Sequence, residues 1–558
     1  MLKLFRALAA ITTLPIATLI LQSRIAVATT FNLIEATVPE IQSAIDAGVI
    51  NSEYLVHQYL NRIAAYDDQG PALNSIIELN PNALETAKAL DLERSLSGPR
   101  GSLFGIPILL KDNIDTFDMP TTAGGLIFKD SIPPDDAFIT QQLRDAGAII
   151  LGKVNLTEFA AFIDFDLPAG FSVIGGQTLN PYGPGKFQVG GSSSGSGVAI
   201  AANLAALSVG TDTGGSILHP STTNSLVGIR PTVGLISRDG IIPISATQDT
   251  AGPMARTVED AAILLGALTG IDPNDPATTT SKGKFFKDYT PFLNPDGLKG
   301  ARLGIVQGVF SSKHISKDEI ALSKQAFKDF ERLGAELVYE VEFPPNVPDL
   351  INTYYGMGFF EVLIPEFKVG IEAYLASLGE DAPAQTLADM IAFNQANAEA
   401  AIPFGQDIFE LSLATQGDLN DPKYLTAREE SIHLIGAAVD EVLERLDLDA
   451  LLFPNDLALF AGVRPGYPII TVPAGYTSTG QPFGLSLLSE AFSEPKLIEL
   501  AYAYEQGTLH RLPPASTPAI KGDSVTVSES GGNRVLLVIG FVTIGLPLSA
   551  SAKLFSWN

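Results

Sequence analysis

Apolar residues recur at two spacings along this chain, and the alternation between them is the first structural signal. After Pro39, Ile41 and Ile45 share a helical face at i, i+4. Tyr54, Leu55, Tyr59 and Ile63 repeat that spacing, with Ser52 as the expected N-cap and Glu53 in the first turn. Short apolar runs of strand length stand between such segments, at 73–79, at 105–110 just before Lys111, and at 148–151. Helices are expected over 82–96 and 135–146. Residues 301–306, 317–333 and 335–341 read as strand, helix and strand. Residues 345–430 are helical in pattern and poor in strand signals. Residues 451–453, 468–472 and 484–488 read as buried strands, and 494–506 as a closing helix. The stretch 176–258 holds most of the Gly and Ser punctuation, and 272–300, rich in Pro, Asp and Thr, reads as a surface connection. Strands alternating with helices predict an α/β fold, a sheet with helices on both faces.

The two ends break this pattern. Lys3 and Arg6 precede an uncharged, mostly apolar stretch over 7–21, and Ala26-Val27-Ala28 supplies the small-x-small pattern of a signal-peptidase site. Gln22, Ser23 and Arg24 stop the stretch short of the ~20 apolar residues of a spanning helix. Residues 1–28 are therefore expected to be a signal peptide of an exported protein, periplasmic, extracellular or membrane-associated; an uncleaved anchor and an amphipathic surface helix are the alternatives. Near the other end, 535–552 carries no charge between Arg534 and Lys553, and the polar stretch 524–533 before it reads as a linker. That run just reaches spanning length, and Gly540, Gly545 and Pro547 weaken a membrane helix without forbidding one. Residues 519–558 are expected to be a linker plus an anchor or sorting tail; a removed tail and a buried strand pair are the alternatives. The main domain is then 29–518.

Composition narrows the function classes. With 46% hydrophobic and 17% charged residues over 558 positions, the chain supports a large core. It has no cysteine, which excludes disulfides, thiolate metal sites, iron–sulfur clusters and a cysteine nucleophile. The five histidines, His57, His219, His314, His433 and His510, show no metal-binding spacing, so no metal or cofactor is expected. A net charge of −27 repels phosphate backbones, so nucleic acid is not an expected partner.

Two Gly/Ser clusters carry the candidate chemistry. Gly190-Gly191-Ser192-Ser193-Ser194-Gly195-Ser196-Gly197 runs straight into a good helix sequence from Val198. Such a turn presents backbone N–H groups to negative charge, though the lysine of a phosphate loop is missing. In Thr211-Asp212-Thr213-Gly214-Gly215-Ser216, glycines before a serine let backbone N–H groups approach a substrate oxygen, the requirement of an oxyanion hole. His219 lies three residues past Ser216, but a lysine serves equally as base when burial depresses its pKa from ~10.4. Lys111, at the end of an apolar strand, suits that role; a surface lysine at a strand end is the plain alternative.

These motifs, with Gly105-Ile106-Pro107, Lys111-Asp112-Asn113 and the run Val227 to Ala262 that includes Asp249-Thr250-Ala251-Gly252-Pro253, resemble the amidase signature family of serine hydrolases. The likeness spans about 32–514 and is nearest to amidases of peptide amides and other linear amides. It implies a central mixed β-sheet covered by helices on both faces. It also implies a Ser–Ser–Lys triad: Ser216 as nucleophile, Ser192 as bridging serine at a non-proline cis peptide, Lys111 as base. The family spacing of 24 between the serines selects Ser192 over Ser193, Ser194 and Ser196. The oxyanion hole is expected from backbone N–H groups of Thr213, Gly214 and Gly215. Many members carry an arginine two or three residues after the nucleophile. Leu218 and His219 stand there instead, and are expected to face a substrate without a carboxylate. The aromatic residues Tyr354, Tyr355, Phe359 and Phe360 fall in the family's channel-lining segment and suggest an uncharged acyl group. The expected partner is a small-molecule or peptide amide; the rival readings are an inactive binding relative and an amidotransferase A-type subunit.

Overall fold

The short apolar runs pair into one central sheet. The computed structural model describes residues 29–311, 315–344 and 359–527. Among them, eleven strands form that sheet: β1 (Ile76–Leu79), β2 (Pro107–Lys111), β3 (Ile149–Val154), β4 (Leu207–Asp212), β5 (Val227–Arg230), β6 (Thr250–Ala255), β7 (Arg302–Val306), β8 (Glu336–Val341), β9 (Ala450–Pro454), β10 (Ile469–Tyr476) and β11 (Pro482–Leu488). Their order is β8-β7-β9-β11-β10-β5-β6-β4-β2-β3-β1. Parallel groups, β8-β7-β9 and β4-β2-β3, flank an antiparallel middle, so the sheet is mixed. Strands β2 to β6 are buried at every position. That is the condition of strands covered on both faces, and it explains the apolar run of β2 before Lys111. Helices Ser194–Ala201 and Val258–Leu268 pack on β4 and β6, and Glu494–Thr508 packs on β10.

Local chemistry sets several boundaries differently from the periodic pattern. Asn51, not Ser52, caps the helix Ser52–Tyr66, its side chain accepting from the Tyr54 N–H. Ser52 is instead buried as the first helical residue. Strand β1 begins at Ile76 because Asn74 takes a positive φ of 56°. The helix expected from 135 spans Phe138–Asp145. The second half of the Gly/Ser cluster forms the first turn of Ser194–Ala201, and only 190–193 precede the helix. Three central strands, β4 to β6, lie inside the Gly- and Ser-rich stretch. Gly210 in β4 is one reason: a Cβ there would sit 2.9 Å from both Met254 Sδ and Ser193 Oγ.

The helical reading of 345–430 matches Phe359–Ser377, Leu387–Ala396, Asp407–Ala414 and Pro422–Glu429. Residues 345–358, with Tyr354 and Tyr355, lie outside the described residues.

One compact unit comprises Phe31–Ser524. It continues past 518 for a physical reason. Asp523 is buried without exposed side-chain surface and pairs at 2.7 Å with the equally buried Arg62, whose guanidinium also binds the carbonyls of Thr517, Ala202 and Asn203. Ser524–Val527, expected as linker, is a strand. Within the unit formed by the chain ends, the hydroxyls of Thr30 and Thr526 lie 2.9 Å apart. The expected signal peptide (1–28) and apolar tail (535–552) fall outside the described residues. Among the described residues no helix is long and apolar enough to cross a membrane.

Candidate active site

Strand β2 ends at Lys111, which has none of its surface exposed. Its Nζ lies 2.8 Å from Ser192 Oγ, 2.8 Å from Thr211 Oγ1 and 3.3 Å from the Thr211 carbonyl. Loss of water around the ammonium lowers the Lys111 pKa to about 7, while Asp212 and Asp249 nearby oppose the shift. A neutral amine has two N–H groups and one lone pair. With both N–H groups on the two Thr211 oxygens, the lone pair faces the Ser192 hydroxyl.

Ser192 is almost fully buried, and the Gly191–Ser192 peptide is cis. The three other serines of the cluster are committed to backbone carbonyls: Ser193 to Thr211, Ser194 to Gly190, Ser196 to Val209. Ser192 is thus the cluster serine bonded to the lysine, the one the spacing selected.

Ser216 sits on the turn between β4 and the short helix Leu218–Thr223, and is half-buried. Its carbonyl accepts from the Ser193 N–H at 3.2 Å, which ties the two serine segments together. Asp212, the last residue of β4, shapes this turn. Its two oxygens accept from the N–H groups of Gly215 (2.8 Å) and Ile217 (2.7 Å), and Arg230 Nε pairs with it at 3.1 Å with neither side chain exposed. Gly215 takes φ 102°, which favours glycine, and a Cβ there would come within 3.0 Å of Leu459. Of the three expected oxyanion donors, Gly215 therefore spends its N–H on Asp212. Among the described residues no acceptor takes the N–H of Thr213, Gly214 or Ser216.

A cavity of about 300 Å³ lies beside this centre and shares Thr211–Thr213 with it. Asn113 and Thr211–Thr213 form its inner wall, 241–246 one side, and Gly370, Ala373 and Tyr374 of the helix Phe359–Ser377 another. Thr211 is shared, since it lines the cavity and binds Lys111. Leu218 and His219, expected to face the substrate, are not in this wall, and neither are Lys111, Ser192 and Ser216. Leu218 is fully buried in an apolar cluster, and the His219 N–H closes the short helix by donating to the Gly215 carbonyl. Phe359 is buried in the same cluster and Phe360 packs against it.

Among the described residues the one cation in the cavity wall is Arg238, and its guanidinium is committed: Nε and Nη2 grip both oxygens of Asp275, and Nη1 donates to the Ala246 carbonyl. Asp212, Asp239 and Asp249 complete an acidic lining. Thr211, Arg238 and Tyr374 were missed as site residues because they converge only through the tertiary fold. Thr211 alone carried a local signal, its place in the second Gly/Ser motif.

The fold and site are those of an α/β protein whose large mixed sheet holds a buried lysine–serine pair beside a Gly-Gly-Ser turn. The amidase family profile matches residues 54–460. The chain is 44% identical to the crystal structure of native peptide amidase from Stenotrophomonas maltophilia, with a TM-score of 0.81 over 87% of this chain and 99% of that one. It is 41% identical to a probable amidase of Arabidopsis thaliana over 500 residues, 88% of this chain and 94% of the relative. The A-type subunit of a glutamyl-tRNA(Gln) amidotransferase from Rippkaea orientalis is 34% identical over 80% of this chain and 93% of its own length. The chain belongs to the amidase signature family. It is an amide-hydrolysing enzyme, and its stronger matches are amidases rather than amidotransferase subunits.

Proposed function

We propose that the enzyme hydrolyses neutral linear carboxamides, C-terminally amidated peptides among them, through an acyl-enzyme on Ser216. The observation that carries this reading is the 2.8 Å bond between Lys111 Nζ and Ser192 Oγ, with no surface of the lysine exposed. Neutral Lys111 takes the Ser192 proton as Ser192 Oγ takes that of Ser216, and Ser216 Oγ attacks the carboxamide carbon. Negative charge on the carbonyl oxygen meets the N–H groups of Thr213, Gly214 and Ser216. The proton returns through Ser192 to the leaving nitrogen and the C–N bond breaks; water then attacks the ester as its proton passes through Ser192 to Lys111, and the proton comes back to Ser216 Oγ as the acid leaves. The acidic lining, with Arg238 already held by Asp275, supports a substrate without a carboxylate. The peptide amidase likeness supports the substrate class.

Covalent labelling tests the assignment. A fluorophosphonate should modify Ser216, and Ser216→Ala should abolish turnover of a peptide amide with thermal unfolding unchanged. A label on Ser192, Ser194 or Ser196 would overturn the register.

We also propose export, on the pattern of Lys3, Arg6, the stretch 7–21 and Ala26-Val27-Ala28. Mass spectrometry of the mature N-terminus tests this, since a chain that keeps residues 1–28 contradicts it.

A further inference from the structure

Asp249 has no part in the relay above, yet it touches both walls of the site. It is the residue before β6 and is half-buried in the cavity wall. Its Oδ1 accepts from Thr213 Oγ1 at 2.5 Å. Its Oδ2 accepts from the N–H groups of Ile244 (2.7 Å) and Ser245 (2.8 Å). Thr213 begins the turn that leads to Ser216. Ile244 and Ser245 belong to the segment that walls the cavity. One carboxylate therefore links the strand end bearing the nucleophile turn to the wall of the cavity.

We propose that Asp249 is a positioning residue that aims the Thr213 N–H at the developing oxyanion by holding the Thr213 hydroxyl. This deepens the acyl-enzyme reading and rests on it. Asp212 fixes the far half of the same turn through Gly215 and Ile217. Without Asp249 the near half, Thr213–Gly214, has no side-chain restraint of its own among the described residues. A donor that must meet charge formed only in the transition state acts chiefly on kcat, so loss of its aim leaves ground-state binding nearly intact.

The conservative replacement separates aim from charge. In Asp249→Asn the amide oxygen takes the two backbone N–H groups, and the amide nitrogen donates to the Thr213 hydroxyl, so both links survive with one polarity reversed. Asp249→Ala removes both, and Thr213→Val removes only the link to the turn.

The test measures kcat and KM of the full chain on a peptide amide for these variants and for Asp249→Ala/Thr213→Val. Asp249→Ala should lose about 100-fold in kcat with KM within about threefold, the size seen when one oxyanion donor is lost. Thr213→Val should lose about tenfold or more, and Asp249→Asn should keep at least about a tenth of wild-type kcat. The double variant should be no slower than Asp249→Ala, because both changes break one interaction. Any of four results overturns the proposal: Thr213→Val at wild-type kcat, Asp249→Asn as slow as Asp249→Ala, a double variant at the product of the single losses, or a loss expressed equally in KM. Should Asp249→Ala not fold, Thr213→Val and Asp249→Asn still decide. A wild-type enzyme that hydrolyses the amide without labelling at Ser216 defeats the acyl-enzyme reading instead, and is told apart by that label.

Discussion

A lysine with no exposed surface is the residue on which this site turns, and it leaves two signatures in pH. Lys111 must be neutral to accept a proton, and burial brings its pKa to about 7. The rate should therefore climb through neutral pH to an alkaline plateau, and Lys111→Ala should lose most amide turnover. A rate that peaks in acid would contradict the lysine base. The same shift governs stability. The unfolded chain holds the proton at Lys111 up to ~10.4, the folded chain only to about 7, so the unfolded state binds more protons between those values and stability rises with pH across that window. A shift of this size corresponds to roughly 4–5 kcal/mol against the folded state at the acid end, less about 1 kcal/mol for each hydrogen bond the lysine makes. Lys111→Met should thus unfold at a higher temperature than wild type at pH 6, and the gap should narrow by pH 9.5. A gap that is constant across these pH values would show that the lysine is not desolvated as described.

At the scale of elements, the site depends on how the helix Phe359–Ser377 sits against the segment 241–247. Glu366 joins them. Its carboxylate accepts from Ser245 Oγ, from the Thr247 N–H and hydroxyl, and from Tyr424 OH. Tyr374, one turn from the cavity residue Gly370, donates to Asp115 Oδ1 at 2.9 Å and fixes the other end of the helix. Glu366→Ala leaves several buried donors without an acceptor, at about 1–3 kcal/mol for each group left unpaired. The wall loosens while the relay of Lys111, Ser192 and Ser216 stays in place. Steady-state kinetics should show KM raised about tenfold or more and kcat changed less. A fall in kcat at constant KM would mean that Glu366 acts on the chemistry and not on the wall.

For the molecule as a whole, charge and chain ends make separate predictions. The acidic lining offers no free cation to a substrate carboxylate among the described residues, and an unpaired buried charge costs several kcal/mol. A neutral amide should be preferred over a matched malonamate-like acid by about 100-fold in kcat/KM at pH 8.5, a ratio that needs only ~2.7 kcal/mol. Equal values would require a cation that the cavity wall lacks. Removal of the chain after Val527 keeps Asp523, whereas removal after Pro518 strips the partner from buried Arg62. The shorter chain should be less stable by about 3–5 kcal/mol, read as a lower denaturant midpoint.

Local chemistry alone was enough to read the alternation of strands and helices and the lysine at a strand end, while the serine 24 residues before Ser216 was implied by the family resemblance. Each of these depends on residues close in sequence or on a motif of fixed length. Strands β4 to β6 escaped that reading because glycines such as Gly210 answer to neighbours packed from other segments, which makes a core strand look like a turn. Leu218 follows the nucleophile in sequence, and only the packed fold shows that it turns into the apolar cluster. Arg238 is far from Lys111 in sequence and meets Asp275 only after folding, and the tertiary structure alone reveals that its charge is already spent. The depressed pKa of Lys111 is likewise a property of enclosure. The sequence supplies the amine, and only the packed sheet removes its water.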